Sequence, residues 1–324
     1  MSAWRRLLEE ESEHQWLSFA VFTIIIISGA VLIDWSNELS GVHEGGQLNV
    51  DGKIVDSAGD AILYENENGM VVSLNGEEES APYATCLVQH GHITFACLGQ
   101  EGLIWFTQDN HPEEWGWVPM ALGGNITATQ LSPNDLNQML VIIQDGTTNS
   151  IAAMEITAGD GASPATSHEG DMHLDVVTPT EDGWLVGGSW QAPANWLGSN
   201  PASPPMFELV LSVTWDGINA PLTEIVHMGD EGMIHGIFQS GESYIATGTS
   251  DTIEIENGIA TSLGIASYAA VGDLTGDVWL FGGKGSTTVA IISDGDINVE
   301  KLPEPLEIIP TYVVCDDSGL ISIH

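Results

Sequence analysis

"DVWLFGGKGSTTVAIISDGD" occupies residues 277–296, and "DGWLVGGSW" occupies residues 182–190. Each follows an acidic turn with Trp-Leu, one more apolar residue and two glycines. In the first, a polar turn then leads into a second apolar run, "TVAII". Short apolar runs bounded by Gly, Asp, Asn and Ser are strands joined by turns. Matching runs recur as "ITFACLG" from Ile93, "MLVIIQ" from Met139, "YIATGT" from Tyr244 and "LISIH" from Leu320. Their spacing, roughly 35 to 60 residues, is that of a sheet-based repeat.

A further strand and turn precede every run: "ATCLVQHG", "ATQLSPNDLN", "HLDVVTPTEDG", "IHGIFQSGES", "AAVGDLTGD" and "TYVVCDDSG". Two more strands follow most of them, so the unit has four strands. The two inner strands are almost continuously apolar, which requires both faces to be buried. Sheets stacked radially around an axis meet that requirement, and the reading is an all-β, six-bladed β-propeller over residues 48–324. The last unit stops after two strands, while "AILYENENG" and "MVVSLNGEE" (residues 61–79) open the domain as two strands with no partners of their own. The two chain ends are therefore expected to share one blade and close the ring.

The segment "VWLFGGKG…TTVAIISDG…VEKLP" resembles a degenerate kelch repeat. Gly187-Gly188 and Gly282-Gly283 match that family's di-glycine, and the other blades keep one glycine or none. The resemblance implies a propeller fold and a role in protein interaction, and it carries no catalytic residue. Packing explains these glycines without a ligand, because strand glycines allow close backbone approach or a bulge.

Charge excludes several functions. The 324-residue chain has 46 acidic residues, five basic ones and a formal net charge of −41. Beyond Arg6 there is no arginine. Nucleic-acid binding needs Lys and Arg along the phosphates, so no nucleic-acid partner is expected. Bidentate capture of carboxylate or phosphate needs arginine forks. Such an acidic surface suits a halophilic or marine setting, with divalent cations among its counter-ions.

The N-terminal segment reads as an anchor. Residues 1–15 form a charged lead, and Trp16 to Ile33 run for eighteen residues without a charge. Such a helix is roughly 27 Å long, close to the hydrocarbon thickness of a bilayer. A single transmembrane helix over residues 16–35 follows, with Trp16 and Trp35 at the interfaces. Arg5 and Arg6 keep the N-terminus cytoplasmic and place the rest outside the cell membrane. Residues 36–47 are a small, polar tether. Cleavage after Ser28-Gly29-Ala30 is the alternative and would release a secreted propeller.

Few residues form constellations suited to chemistry. With the blades in register, one position of the first strand recurs as Ala84, Gln130, Asp175, His235, Ala270 and Thr311. Of these, Gln130, Asp175, His235 and Thr311 are candidate channel residues. An Asp175–His235 pair there would raise the histidine's pKa and lower the aspartate's. Two aromatic-rich insertions, with Trp115 and Trp117 in one and Trp196 in the other, are candidate interaction loops. Cys86 and Cys97 flank a hairpin turn symmetrically, as a cross-strand disulfide would, which leaves Cys315 as a thiol. His90 and His92 fit a solvated hairpin tip, and Asp294, Asp296 and Asn298 fit an acidic turn. No metal site and no cofactor are assigned.

The sequence thus favours a membrane-anchored, extracytoplasmic propeller that docks an unknown protein or stabilises a complex, without catalysis. An extracytoplasmic enzyme acting on a neutral or cationic substrate in the channel is the alternative from a different class.

Overall fold

The protein is described here by a computed structural model that covers residues 52–58, 61–74, 77–81, 83–90, 93–98, 103–106, 118–121, 127–145, 148–156, 163–164, 171–193, 204–293, 295–310, 313–315 and 321–323. Among them no helix is long and apolar enough to cross a membrane. The expected lead, anchor and tether lie outside the described residues.

Consecutive strands make six four-stranded antiparallel sheets and one two-stranded sheet among the described residues. The first comprises β1 (Lys53–Ala58), β2 (Ala61–Asn66), β3 (Gly69–Leu74) and β4 (Glu77–Ser80). The second has β5 (Ala84–His90), β6 (Ile93–Leu98), β7 (Leu103–Phe106) and β8 (Val118–Ala121). Next come β9 (Thr127–Pro133), β10 (Gln138–Asp145), β11 (Thr148–Glu155) and β12 (Ser163–Pro164). The fourth sheet is β13 (Asp171–Pro179), β14 (Trp184–Gln191), β15 (Met206–Thr214) and β16 (Leu222–Glu231). The fifth is β17 (Ile234–Ser240), β18 (Ser243–Gly248), β19 (Thr252–Glu256) and β20 (Ile259–Ser262). The sixth is β21 (Ala269–Gly272), β22 (Val278–Phe281), β23 (Thr288–Ser293) and β24 (Asp296–Lys301). A last pair, β25 (Val313–Cys315) and β26 (Ile321–Ile323), ends the chain.

Alternation along the inner strands shows how the sheets stack. On β14, Trp184 and Val186 enter a core shared with Leu140 and Ile142 of the preceding sheet. Leu185, between them, enters a core shared with Ile237 and Ala246 of the following one. The same split occurs on β10, where Met139, Val141 and Ile143 pack with Cys86 and Phe95 while Leu140 and Ile142 face the other way. Successive side chains on a strand point to opposite faces, so these two sheets are each sandwiched between two others. First strands also touch in succession, β1 to β5, β5 to β9, β9 to β13, β13 to β17, β17 to β21 and β21 to β25. These are the innermost strands, and the architecture is a β-propeller.

The expected closure is corrected. The strands at residues 61–79 do not complete the last blade; β2 and β3 are the centre of their own sheet, flanked by β1 and β4. Strand β1 (KIVDSA) has no fully buried position, so it lacks the apolar run that marks inner strands such as β14 and β22. The six-blade count, which rested on the two ends sharing a sheet, falls with it.

Polar struts join neighbouring sheets near the axis. Asp56 Oδ2 accepts the Leu87 N–H at 2.8 Å. Asn149 Oδ1 accepts the Leu174 N–H at 3.1 Å. The buried Trp184 indole donates to the Ser132 carbonyl at 2.9 Å, and the Thr178 hydroxyl donates to the Ile237 carbonyl at 2.7 Å. Each satisfies a main-chain group, so the first sheet is tied to the second, the third to the fourth and the fourth to the fifth by hydrogen bonds as well as by apolar packing.

The two di-glycines have different roles, so they are not one repeated motif. A Cβ on Gly188 would lie 1.9 Å from the His173 carbonyl oxygen, where β13 bulges against β14. A Cβ on Gly187 would meet Ile234 and Ile237 of the next sheet at 2.6 and 3.1 Å. Gly282 and Gly283 follow β22 and face Ser286 and Tyr268 instead.

Candidate functional site

Five innermost strands carry a bulge, and the bulges define a line of related positions. The residue passed over in the pairing is Val55 on β1, Thr85 on β5, Thr129 on β9, Asp175 on β13 and His235 on β17. A bulge re-aims a side chain out of the sheet. Asp175 and His235 therefore occupy equivalent positions, as the sequence register has them. At β5 and β9 the equivalent residues are Thr85 and Thr129, each one position away from Ala84 and Gln130. Ala270 lies on β21, which pairs with β22 without a bulge. Thr311 lies outside the described residues.

Asp175 and His235 shift in the directions opposite to those expected of an ion pair. Both ring nitrogens of His235 have partners: Nε2 lies 3.1 Å from the Ser267 carbonyl and 3.2 Å from the Ser267 hydroxyl, and Nδ1 lies 3.4 Å from Thr247 Oγ1. A carbonyl only accepts, so Nε2 carries hydrogen. Burial pushes the imidazole's pKa down, and the bond to Ser267 offsets part of that. His235 is a strut to the loop before β21. Asp175 is exposed on an innermost strand. Even so, the surrounding protein raises its pKa, and the charge of His173 works against that rise. The two observations agree if the carboxyl stands in a concave channel, reached by water but walled by protein.

The hairpin cysteines are joined. Cys86 and Cys97 are cross-strand partners and form a disulfide with Cα atoms 5.0 Å apart. Cys315 is a half-buried thiol. His90 ends β5, while Asp296 and Asn298 are exposed on β24. Trp115, Trp117, Trp196, His92 and Asp294 lie outside the described residues. No group of three or more His, Cys, Asp or Glu among the described residues is placed to hold a metal ion.

Two features escape a reading by apolar runs. The first is Glu208 in the middle of β15, a charged residue that is 0% exposed. Its Oε1 accepts the Ser250 N–H at 2.8 Å and the Asp251 N–H at 3.4 Å, across the sheet boundary. Its Oε2 has no hydrogen-bond partner, nor have the buried Nε2 of His227, Oγ of Ser189 and Oγ of Ser250. An acid interrupting "MFELVLSV" was the available signal, hidden among many other acids.

The second feature is an apolar edge. On β16, Ile225 is paired opposite Leu211 and Met228 opposite Leu209. Directly opposed residues share a face. Leu209 and Leu211 are core residues, whereas Ile225 and Met228 are 51% and 45% exposed. The core face of the sheet thus continues outward onto the unpaired edge strand. Beside it, Trp215, Asp216, Asn219 and Leu222 line a hollow at the β15–β16 hairpin. Hydrogen bonds from Asn219 and Ile218 hold the exposed Asp216 carboxylate at a pKa of about 2.

No family model matches the chain, and no curated protein matches it. Solved structures do. A puromycin hydrolase aligns at 14% identity and a TM-score of 0.52, over 85% of this chain and 50% of its own. A puromycin-hydrolysing peptidase of Mycobacterium tuberculosis aligns at 11% identity and a TM-score of 0.55, over 83% of this chain and 48% of its own. A dihydro-heme d1 dehydrogenase aligns at 10% identity and a TM-score of 0.53, over 78% of this chain and 57% of its own. The chain spans about half the length of the first two, and identities this low establish a shared propeller fold and nothing more.

Proposed function

We propose that this chain is a membrane-anchored, extracytoplasmic propeller that docks another protein through the outer edge of the β13–β16 sheet. The observation that carries the reading is the exposure of Ile225 and Met228 where the sheet's core face runs out onto an edge strand. Contiguous apolar surface beside an open edge is where a partner strand or apolar face adds on. With a net charge of −41 around it, the fitting partner presents an apolar strip with a basic rim. The anchor at residues 16–35 would hold the module at the cell membrane. The test is an Ile225→Asp, Met228→Asp double variant of the full chain. It should lose its co-purifying partner and keep its melting temperature within a few degrees. Retention of the partner would exclude this edge.

A second reading rests on Asp175. A carboxyl on an innermost strand with its pKa raised by burial would suit a proton-transfer role or a cationic ligand, and the structural neighbours include hydrolases. An enzyme acting on a neutral or cationic substrate would lose its activity in Asp175→Asn and be indifferent to changes at Ile225.

A further inference from the structure

The surroundings of Glu208 show an unbalanced charge. A buried carboxylate is costly unless it is paired, protonated or bound to a cation. Arginine is absent beyond Arg6, and the described lysines, Lys53, Lys284 and Lys301, lie on other sheets or their loops. The two N–H groups on Oε1 satisfy one oxygen only. Oε2 and the buried Nε2 of His227 both lack partners, and both face the same place. A Cβ on Gly229 would lie 2.6 Å from His227 Nε2 and 3.1 Å from Glu208 Oε2.

Two more glycines lie against the other oxygen, Oε1, and the hydroxyls beside it. A Cβ on Gly232 would lie 2.8 Å from Glu208 Oε1, 2.8 Å from Thr249 Oγ1 and 3.1 Å from Ser250 Oγ. A Cβ on Gly248 would lie 2.3 Å from Glu208 Oε1. Ser189, opposite Glu208 on β14, adds another buried hydroxyl without a partner. Any side chain at these glycines would displace the polar atoms or fill the space between them.

We propose that Glu208 Oε2 and His227 Nε2 are ligands to one divalent transition-metal ion bound between the β13–β16 and β17–β20 sheets. An imidazole nitrogen selects against magnesium and calcium, and a mixed nitrogen–oxygen donor set suits zinc or a similar first-row ion. The ion supplies the positive charge that Glu208 lacks. Water and the nearby hydroxyls complete the coordination, with access from the half-buried side of His227. Glu208 also caps the β18–β19 turn, so the ion would tie two sheets together.

The experiment uses the full-length protein, stripped with a chelator and held in excess magnesium to occupy surface carboxylates. Bound zinc is counted at equilibrium, and cobalt is added separately as a spectroscopic probe. The wild type should hold one zinc equivalent more than His227→Ala and Glu208→Gln. Its cobalt complex should show a visible ligand-field band that His227→Ala lacks. Equal zinc binding in wild type and His227→Ala, with the same cobalt spectrum, overturns the site. Should Glu208→Gln fail to fold, the half-buried His227→Ala decides alone.

Discussion

Cys86 and Cys97 face each other across the β5–β6 ladder, next to the bulge at Thr85, and are joined by a disulfide. The bond closes a short loop within one hairpin, and Cys97 and Phe95 belong to the core against the next sheet. The unfolded, unreduced protein should therefore show one reactive thiol, from Cys315. Reduction should cost about 2–4 kcal/mol of stability. Three thiols before reduction would contradict the pairing.

The adjacent glycines on β14 should respond differently to a methyl group. Gly188→Ala drives a Cβ against the His173 backbone, which cannot move without undoing the β13 bulge. A loss of roughly 3 kcal/mol is expected, the upper end for overpacking. Gly187→Ala meets only side chains of Ile234, Val176 and Ile237, which can shift, and should cost about 1–2 kcal/mol. Denaturant midpoints of the two variants check the order, and equal losses would mean that the bulge is not rigid.

Those glycines also show how far the sequence could be read. Strand positions from "ATCLVQHG" to "LISIH" coincide with β5, β6, β9, β10, β13, β14, β17, β18, β21, β22, β25 and β26, because second strands such as β14 and β22 are buried on both faces and read as unbroken apolar runs. Strand β1 escaped because it is half-buried throughout, and without it the domain's first sheet looked incomplete. Asp175 and His235 are both the bulged residue of their strand, whereas at β5 and β9 the bulge falls at Thr85 and Thr129, one position from Ala84 and Gln130, since a bulge inserts a residue that alternation does not count. Glu208 lies at one register shift of the β15–β16 pair and His227 beside the other, a juxtaposition with no linear signature.

Acid should weaken the fold through its buried histidine. Burial lowers the pKa of His235 below the ordinary histidine value. The unfolded chain thus takes up protons first, and stability should fall as pH drops through about 6.5 toward the folded value. Asp175 acts in the opposite sense: its raised pKa favours the folded state as the carboxyl protonates, nearer the ordinary aspartate value. Melting curves between pH 8 and 5 should slope downward toward acid, and His235→Gln should flatten part of that slope. A profile unchanged in the variant would mean that His235 is not held neutral by burial.

Salt should stabilise the chain. A net charge of −41 repels itself in the compact state, and screening relieves that repulsion. Melting temperature should rise with sodium chloride and more steeply with calcium chloride. A flat response to both would show that the acids are spaced widely enough not to matter.

The most direct test of docking through the β16 edge is site-specific photo-crosslinking in cells that make the native protein. A crosslinker in place of Ile225 should trap one protein species in high yield, and the same group at Thr261 on β20 of the neighbouring sheet should not. Equal yields at both positions, or no adduct at Ile225 while a channel substitution at Asp175 abolishes a measurable activity, would contradict docking at this edge.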